Sequence, residues 1–215
     1  MRSLIIVLVL LAGCSASYTA PPGYNLISPE KSLSCLPPPW SMPGKAMSLR
    51  QTVFIQAGGQ SHIVQGLMQI DEQRRKIQIL GMSELGMKLF DIEVTHDRYE
   101  HNFLSPAMGN RSEALARQVA LSVRRIFLTF DPAANFETYV APESLLMIDR
   151  SSDSEMIHEC PLDSKILKET SGPGQGWEVT LTDYLDINGV YLPERITYHD
   201  QQAGYKLKMI LHEVF

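Results

Sequence analysis

From Leu49 onward, apolar and polar residues alternate with a period of two, the pattern of strands with one buried and one wet face. Residues 177–182 show it plainly: Trp177, Val179 and Leu181 fall on one side, Glu178, Thr180 and Thr182 on the other. Asn188-Gly189 follows, a pair that tolerates positive φ and predicts a tight turn. Residues 190–199 and 205–213 supply two more strands joined across 200–204, so the C-terminal third reads as an antiparallel meander. The same reading predicts strands at 51–56, 62–70, 76–80, 87–94 and 98–103, with Gly58-Gly59 and 71–74 as turns. Residues 144–149 and 155–159 form another predicted pair, and 165–169 a short strand. About ten short strands favour a curved sheet or barrel-like arrangement.

One segment breaks the period. Asn110 with Glu113 makes a capping box, and residues 111–129 hold no Gly or Pro, which predicts a helix that Asp131-Pro132 ends. At 100° per residue Leu115, Val119, Val123, Ile126 and Phe130 share one arc, with Arg117, Gln118, Arg124 and Arg125 opposite. Leu121 and Leu128 fall inside the polar arc. That marks either a wide apolar face or a helix touching apolar material on two sides, a sheet plus a bound lipid chain.

The chain opens differently. Arg2 precedes an apolar run, residues 4–12, of the length of a secretory signal and too short for the roughly 20 residues that span a bilayer. It ends in Leu11-Ala12-Gly13-Cys14, which resembles the bacterial lipobox. That resemblance implies a diacylglyceryl group on the Cys14 thiol, cleavage before it, and acylation of the new amine with a chain such as palmitate. Ser15 stands where inner-membrane-retained lipoproteins usually carry Asp, which implies an outer-membrane, periplasm-facing lipid anchor in a Gram-negative cell. Two or three acyl chains hold where one is marginal. Residues 1–13 are thus read as a lipoprotein signal peptide. Residues 14–49, rich in Pro and Ser, are read as a lipidated tether, and 50–215 as a single β domain.

Removing 1–13 leaves 202 residues with 18 basic and 24 acidic side chains, a formal charge of −6. One domain with a substantial core fits that length, and the acidic balance gives no reason to expect nucleic acid. Cys35 and Cys160 remain as an even pair, most simply a disulfide in an oxidising compartment.

Catalytic motifs are absent: there is no Gly-x-Ser-x-Gly, His-Glu-x-x-His, Cys-x-x-Cys or phosphate-binding glycine loop. Residues 172–176 read as a flexible turn. The polar cluster at 96–101 would put His96 and Glu100 on one strand face and His101 on the other, poor metal geometry, so exposed hairpin residues are the reading. No cofactor is expected.

The order of elements, arm, strands, one helix and closing meander, resembles the LolA and LolB lipoprotein-localisation proteins, above all LolB. Residues 205–209, Tyr-Lys-Leu-Lys-Met, are similar to a run near the end of many LolB chains. Residues 80–89 are similar to the LolB hairpin with an Asn-Pro-Leu-Gly loop, with Ser83-Glu84 in place of Asn-Pro. An uncharacterised family of LolB-like lipoproteins encoded near aryl-polyene synthesis genes also looks like this chain. The resemblance implies a mainly β (α+β) half-barrel with its principal helix packed on the concave side and an apolar cavity for acyl chains. It also implies a protruding loop leucine, Leu85, which with Met82 and Met87 would touch membrane or cargo. Candidate cavity residues are Val53, Ile55, Leu67, Ile77, Ile79, Leu89 and Phe103 on strands and Leu115, Val119 and Ile126 on the helix; dry core packing has the same signature. The expected partners are the membrane, lipid or acylated-protein cargo, and a periplasmic carrier protein. The functional reading is a non-enzymatic carrier or inserter of lipid or lipoprotein. The alternatives are a structural lipoprotein acting through surface contacts and, with least support, a periplasmic acyl hydrolase.

Overall fold

The computed structural model describes residues 17–27, 33–41, 46–71, 73–131, 133–150, 155–187 and 190–215. Cys14, the signal segment and the Asn188-Gly189 turn lie outside the described residues. Among the described residues thirteen strands form one antiparallel sheet, open and curved, instead of about ten. In chain order they are β1 (Asn25–Leu26), β2 (Ala46–Ala57), β3 (Gln60–Asp71), β4 (Lys76–Met82), β5 (Lys88–Thr95), β6 (Tyr99–Leu104), β7 (Phe136–Val140), β8 (Ser144–Asp149), β9 (Met156–Pro161), β10 (Glu169–Gly172), β11 (Trp177–Ile187), β12 (Val190–Asp200) and β13 (Tyr205–Val214). Across the sheet the order runs β1, β7 through β13, then β2 through β6. Because β13 closes back on β2, the two halves of the chain share one sheet, with Leu207 opposite Ile55 and Met209 opposite Val53.

Two strands carry no period to read. β1 has two residues, and β7 (Phe-Glu-Thr-Tyr-Val) is too short for alternation to show. The strand expected at 165–169 is displaced: Ile166 makes an isolated parallel bridge to Leu36, and β10 begins at Glu169. The segment 172–176 holds a short 3-10 helix, Pro173–Gln175.

The helix α1 spans Ser112–Phe127. Asn110 does not cap it; a 3-10 turn, Pro106–Arg111, precedes it, and Ser105 caps that turn by accepting from the Ala107 N–H at 3.3 Å. α1 buries Ala116, Val119, Val123, Ile126 and Phe127 against the inner sheet face. Arg125, expected on the wet side, is half-buried instead. Its guanidinium donates to Asp200 Oδ2 at 2.8 Å and to the Tyr198 hydroxyl at 2.6 Å, and stacks over Trp177 at 5.0 Å. Leu128 is buried too. The helix therefore touches protein on more than one side because the sheet curves around it.

The domain boundary at 49/50 falls inside β2, and the described part of the arm before it is packed on the sheet. Tyr18, Ala20 and Tyr24 cover Leu146, Ile148 and Ile157 on one face of β8–β9. β1 pairs with the β7 edge, and Cys35 then reaches the opposite face, bonded to Cys160 with Cα atoms 5.8 Å apart. Trp40 enters the main core and packs edge-on to Phe127 at 4.9 Å.

Candidate functional site

Neighbouring strands alternate in direction, so the β2–β3, β4–β5, β8–β9, β10–β11 and β12–β13 connections all emerge at one end of the sheet. At that end the inner face is not filled. A cavity of about 860 Å³ opens there, within the 300–1,000 Å³ range typical of ligand sites. Its wall comes from Val64, Leu89 and Phe90 on the sheet, Met108 and Leu115 around the start of α1, and Tyr205 at the start of β13. Burial pushes the Tyr205 phenol well above its ordinary pKa, so the ring is neutral at physiological pH. The Gln118 side-chain nitrogen, in the cavity wall, has no hydrogen-bond partner among the described residues.

The β4–β5 loop overhangs this mouth. Ser83 closes it twice: its carbonyl accepts from the Gly86 N–H at 2.9 Å, and its hydroxyl accepts from the Met87 N–H at 3.2 Å. Gly86 sits at φ +77°, where other residues are strained. The turn therefore forms with Ser-Glu in place of Asn-Pro, and it throws Leu85 outward with 86% of its surface exposed. Met87 and Ile63, also exposed, continue an apolar rim.

Of the residues singled out by sequence, Leu89 and Leu115 line the cavity, and Leu85 and Met87 edge it. Met82 ends β4 half-buried and does not line it. Val53, Ile55, Ile77, Ile79, Val119 and Ile126 are packed in the dry core. Leu67 and Phe103 face the other way. In β3 the even positions Val64, Met68 and Ile70 point inward, which turns Leu67 to the outer face beside Leu80. Phe103 stands opposite Asp91 past a bulge, with the Lys88 ammonium 5.2 Å from its ring centre. Val64, Phe90, Met108, Gln118 and Tyr205 were not picked out from the sequence. Phe90, Met108 and Tyr205 lie within two residues of the start of an element and Gln118 within two turns of the start of α1, while Val64 is the fifth residue of β3.

The polar cluster at 96–101 is exposed and self-paired, His96 with Asp97 at 3.0 Å and Arg98 with Glu100 at 3.5 Å, while His101 faces Glu113 at 3.7 Å. Among the described residues no group of three or more His, Cys, Asp or Glu side chains is placed to hold a metal, and no helix is long and apolar enough to cross a membrane.

Residues 48–140, from β2 through β7, match the family model described as "Protein of unknown function (DUF3261)". No curated protein matches the sequence. Among solved structures, a LolA superfamily protein from Nitrosomonas europaea is similar, with TM-score 0.51 and 10% identity, covering 80% of this chain and 86% of that one. A DUF1329 family protein from Desulfovibrio piger aligns with TM-score 0.46 and 7% identity over 81% and 86% of the two chains. A Vibrio parahaemolyticus domain named for outer membrane lipoprotein sorting gives 0.45 and 8% over 81% and 87%. The fold of this chain is LolA-like.

Proposed function

We propose that the protein binds an acyl chain in the mouth cavity and carries or inserts lipid or lipoprotein in the bacterial envelope, without catalysis of its own. The observation that carries this reading is an open, mainly apolar cavity of about 860 Å³ whose rim bears the exposed Leu85. Its volume and apolar wall suit hydrocarbon, and the open end lets a headgroup or an acylated polypeptide stay in water. The LolA name of the Nitrosomonas protein adds a precedent for the fold, and the resemblance of residues 80–89 to the LolB hairpin adds one for the loop leucine. An outer-membrane anchor at Cys14 completes the proposal. A second reading, a structural lipoprotein, draws on the dense packing of Trp40, Phe127, Trp177 and Tyr198 through the rest of the interior.

The two separate on binding of a dansyl-labelled fatty acid to the purified chain. The carrier reading expects saturable binding that Leu115→Trp, which fills the cavity, weakens by roughly tenfold, equivalent to about 1.4 kcal/mol. Leu85→Glu should retain binding and lose transfer to acceptor vesicles. Absence of binding, or binding indifferent to Leu115→Trp, would favour the scaffold.

A further inference from the structure

The change from filled core to cavity follows one row of the inner sheet face. Across β2–β5, Leu49, Met68, Ile79 and Ile92 stand side by side, each opposite the next, and all four are buried in the main core. Two residues nearer the mouth, the matching row reads Gln51, Gly66, Gly81 and Phe90. The two central strands present no side chain there, and the side chains of the outer two lie over them. A methyl group at Gly81 would fall 2.3–2.6 Å from three carbons of the Phe90 ring, and one at Gly66 would fall 3.0 Å from Gln51 Cγ. The Phe90 ring thus occupies the place of a side chain at 81 and lies down against the sheet, an aromatic covering a cross-strand glycine. Leu104 stands opposite it on β6, and Ile79 and Ile92 of the filled row pack on its core side. Its remaining side faces the cavity.

Side chains at 66 and 81 like those at 68 and 79 would fill this row as the row behind it is filled, and the hollow would end nearer the mouth. Even a methyl at 81 cannot coexist with the ring where it lies. Carbon atoms in contact sit about 3.5 Å apart, so the ring would have to withdraw by about 1 Å, and the open direction is the cavity. Hydrocarbon that enters past Leu89 and Leu115 meets the Phe90 ring before it meets the sheet. We propose that Gly81 and Phe90 form the depth stop of an acyl site: the glycine lets the ring lie flat, and the methyl end of a saturated chain comes to rest on the ring. The pair then sets the longest chain the cavity takes. The proposal rests on the acyl-binding reading of the cavity and adds what the site discriminates, the length of the hydrocarbon.

The test is displacement of a dansyl-labelled fatty acid from the full chain by saturated fatty acids from C8 to C18, in one-carbon steps. Affinity should rise roughly fourfold per methylene until the chain reaches the ring, then level off. Gly81→Ala should move that break about one carbon shorter, and Gly81→Val further. Phe90→Ala should move it several carbons longer. The double variant is decisive: with the ring gone a methyl at 81 has room, so Gly81→Ala with Phe90→Ala should break where Phe90→Ala alone does. A general loss of packing would not produce that dependence. A break that stays in place in the single variants, or a Gly81→Ala shift that is the same with and without the ring, would overturn the depth stop and leave acyl binding standing. Should Gly81→Ala fail to fold, Phe90→Ala decides by itself, and an unmoved break there overturns the proposal. No saturable displacement by any chain length in the unaltered protein would overturn the acyl reading and the depth stop together.

Discussion

His158, on β9, is enclosed on the inner face by Phe130 at 4.9 Å and Phe136 at 5.6 Å between ring centres. Its Nδ1 meets the Thr170 hydroxyl at 3.0 Å, and its Nε2 has no partner. Burial strips the imidazolium of water and lowers the pKa from 6.5 to about 4, with the nearby Asp149 opposing the shift. The native state therefore stays neutral at this site down to pH about 4, whereas the unfolded chain takes up a proton below about 6.5. Stability is full above pH 6.5 and falls as the pH drops toward 4, by about 3 kcal/mol from this residue alone. His158→Phe should remove that part of the decline; urea midpoints across the window check it, and parallel curves for the two proteins would contradict it. The sequence could not reveal this box, because Phe130, Phe136 and His158 belong to three separate segments. Leu67 shows the related difficulty of parity. In a strand a single step decides between cavity side and outer side, and composition does not record which.

At the scale of elements, the legible features were those with a long period. β2, β3, β11, β12 and β13 each run for ten or more residues and show clear alternation. α1 was legible for the same reason, although a 3-10 turn took the place of its expected cap. In the arm only Cys35 was legible, through its pairing with Cys160, which is present; contacts made by a single side chain between prolines, such as that of Trp40, were not. Neither was the partial burial of Arg125, because a guanidinium reads as surface until its partners Asp200, Tyr198 and Gln175 are brought together by β12 and the β10–β11 turn. For Asp200, burial alone would raise the pKa; the Ala203 N–H and Arg125 outweigh it and keep the carboxyl ionised. With the pair only 13% and 6% exposed, Arg125→Ala should destabilise by about 3 kcal/mol by leaving that charge buried alone. Adding Asp200→Asn should restore much of the loss. A double mutant as unstable as the sum of the two single changes would mean that the ion pair does not couple α1 to the sheet.

For the whole molecule, an all-antiparallel curved sheet with one helix inside it followed from the period and from the resemblance. The distribution of hollow and filled space did not. Core and cavity wall share one apolar signature, so six of the ten residues proposed as lining are packed in the core, two face outward and two line the mouth. The closed part of the sheet is filled by aromatic side chains from the arm, the helix and β11–β13, and the space that remains lies at one end. That placement joins two features in one region: an apolar cavity and a protruding leucine. The account's central claim is that this mouth holds an acyl chain. Its most direct test is photocrosslinking in living cells, with a photoreactive residue at Leu115 in the mouth or at Leu67 on the outer face. The account predicts acyl-bearing adducts by mass spectrometry at 115 and few at 67. No lipid adduct at 115, or equal yields at the two positions, would contradict it.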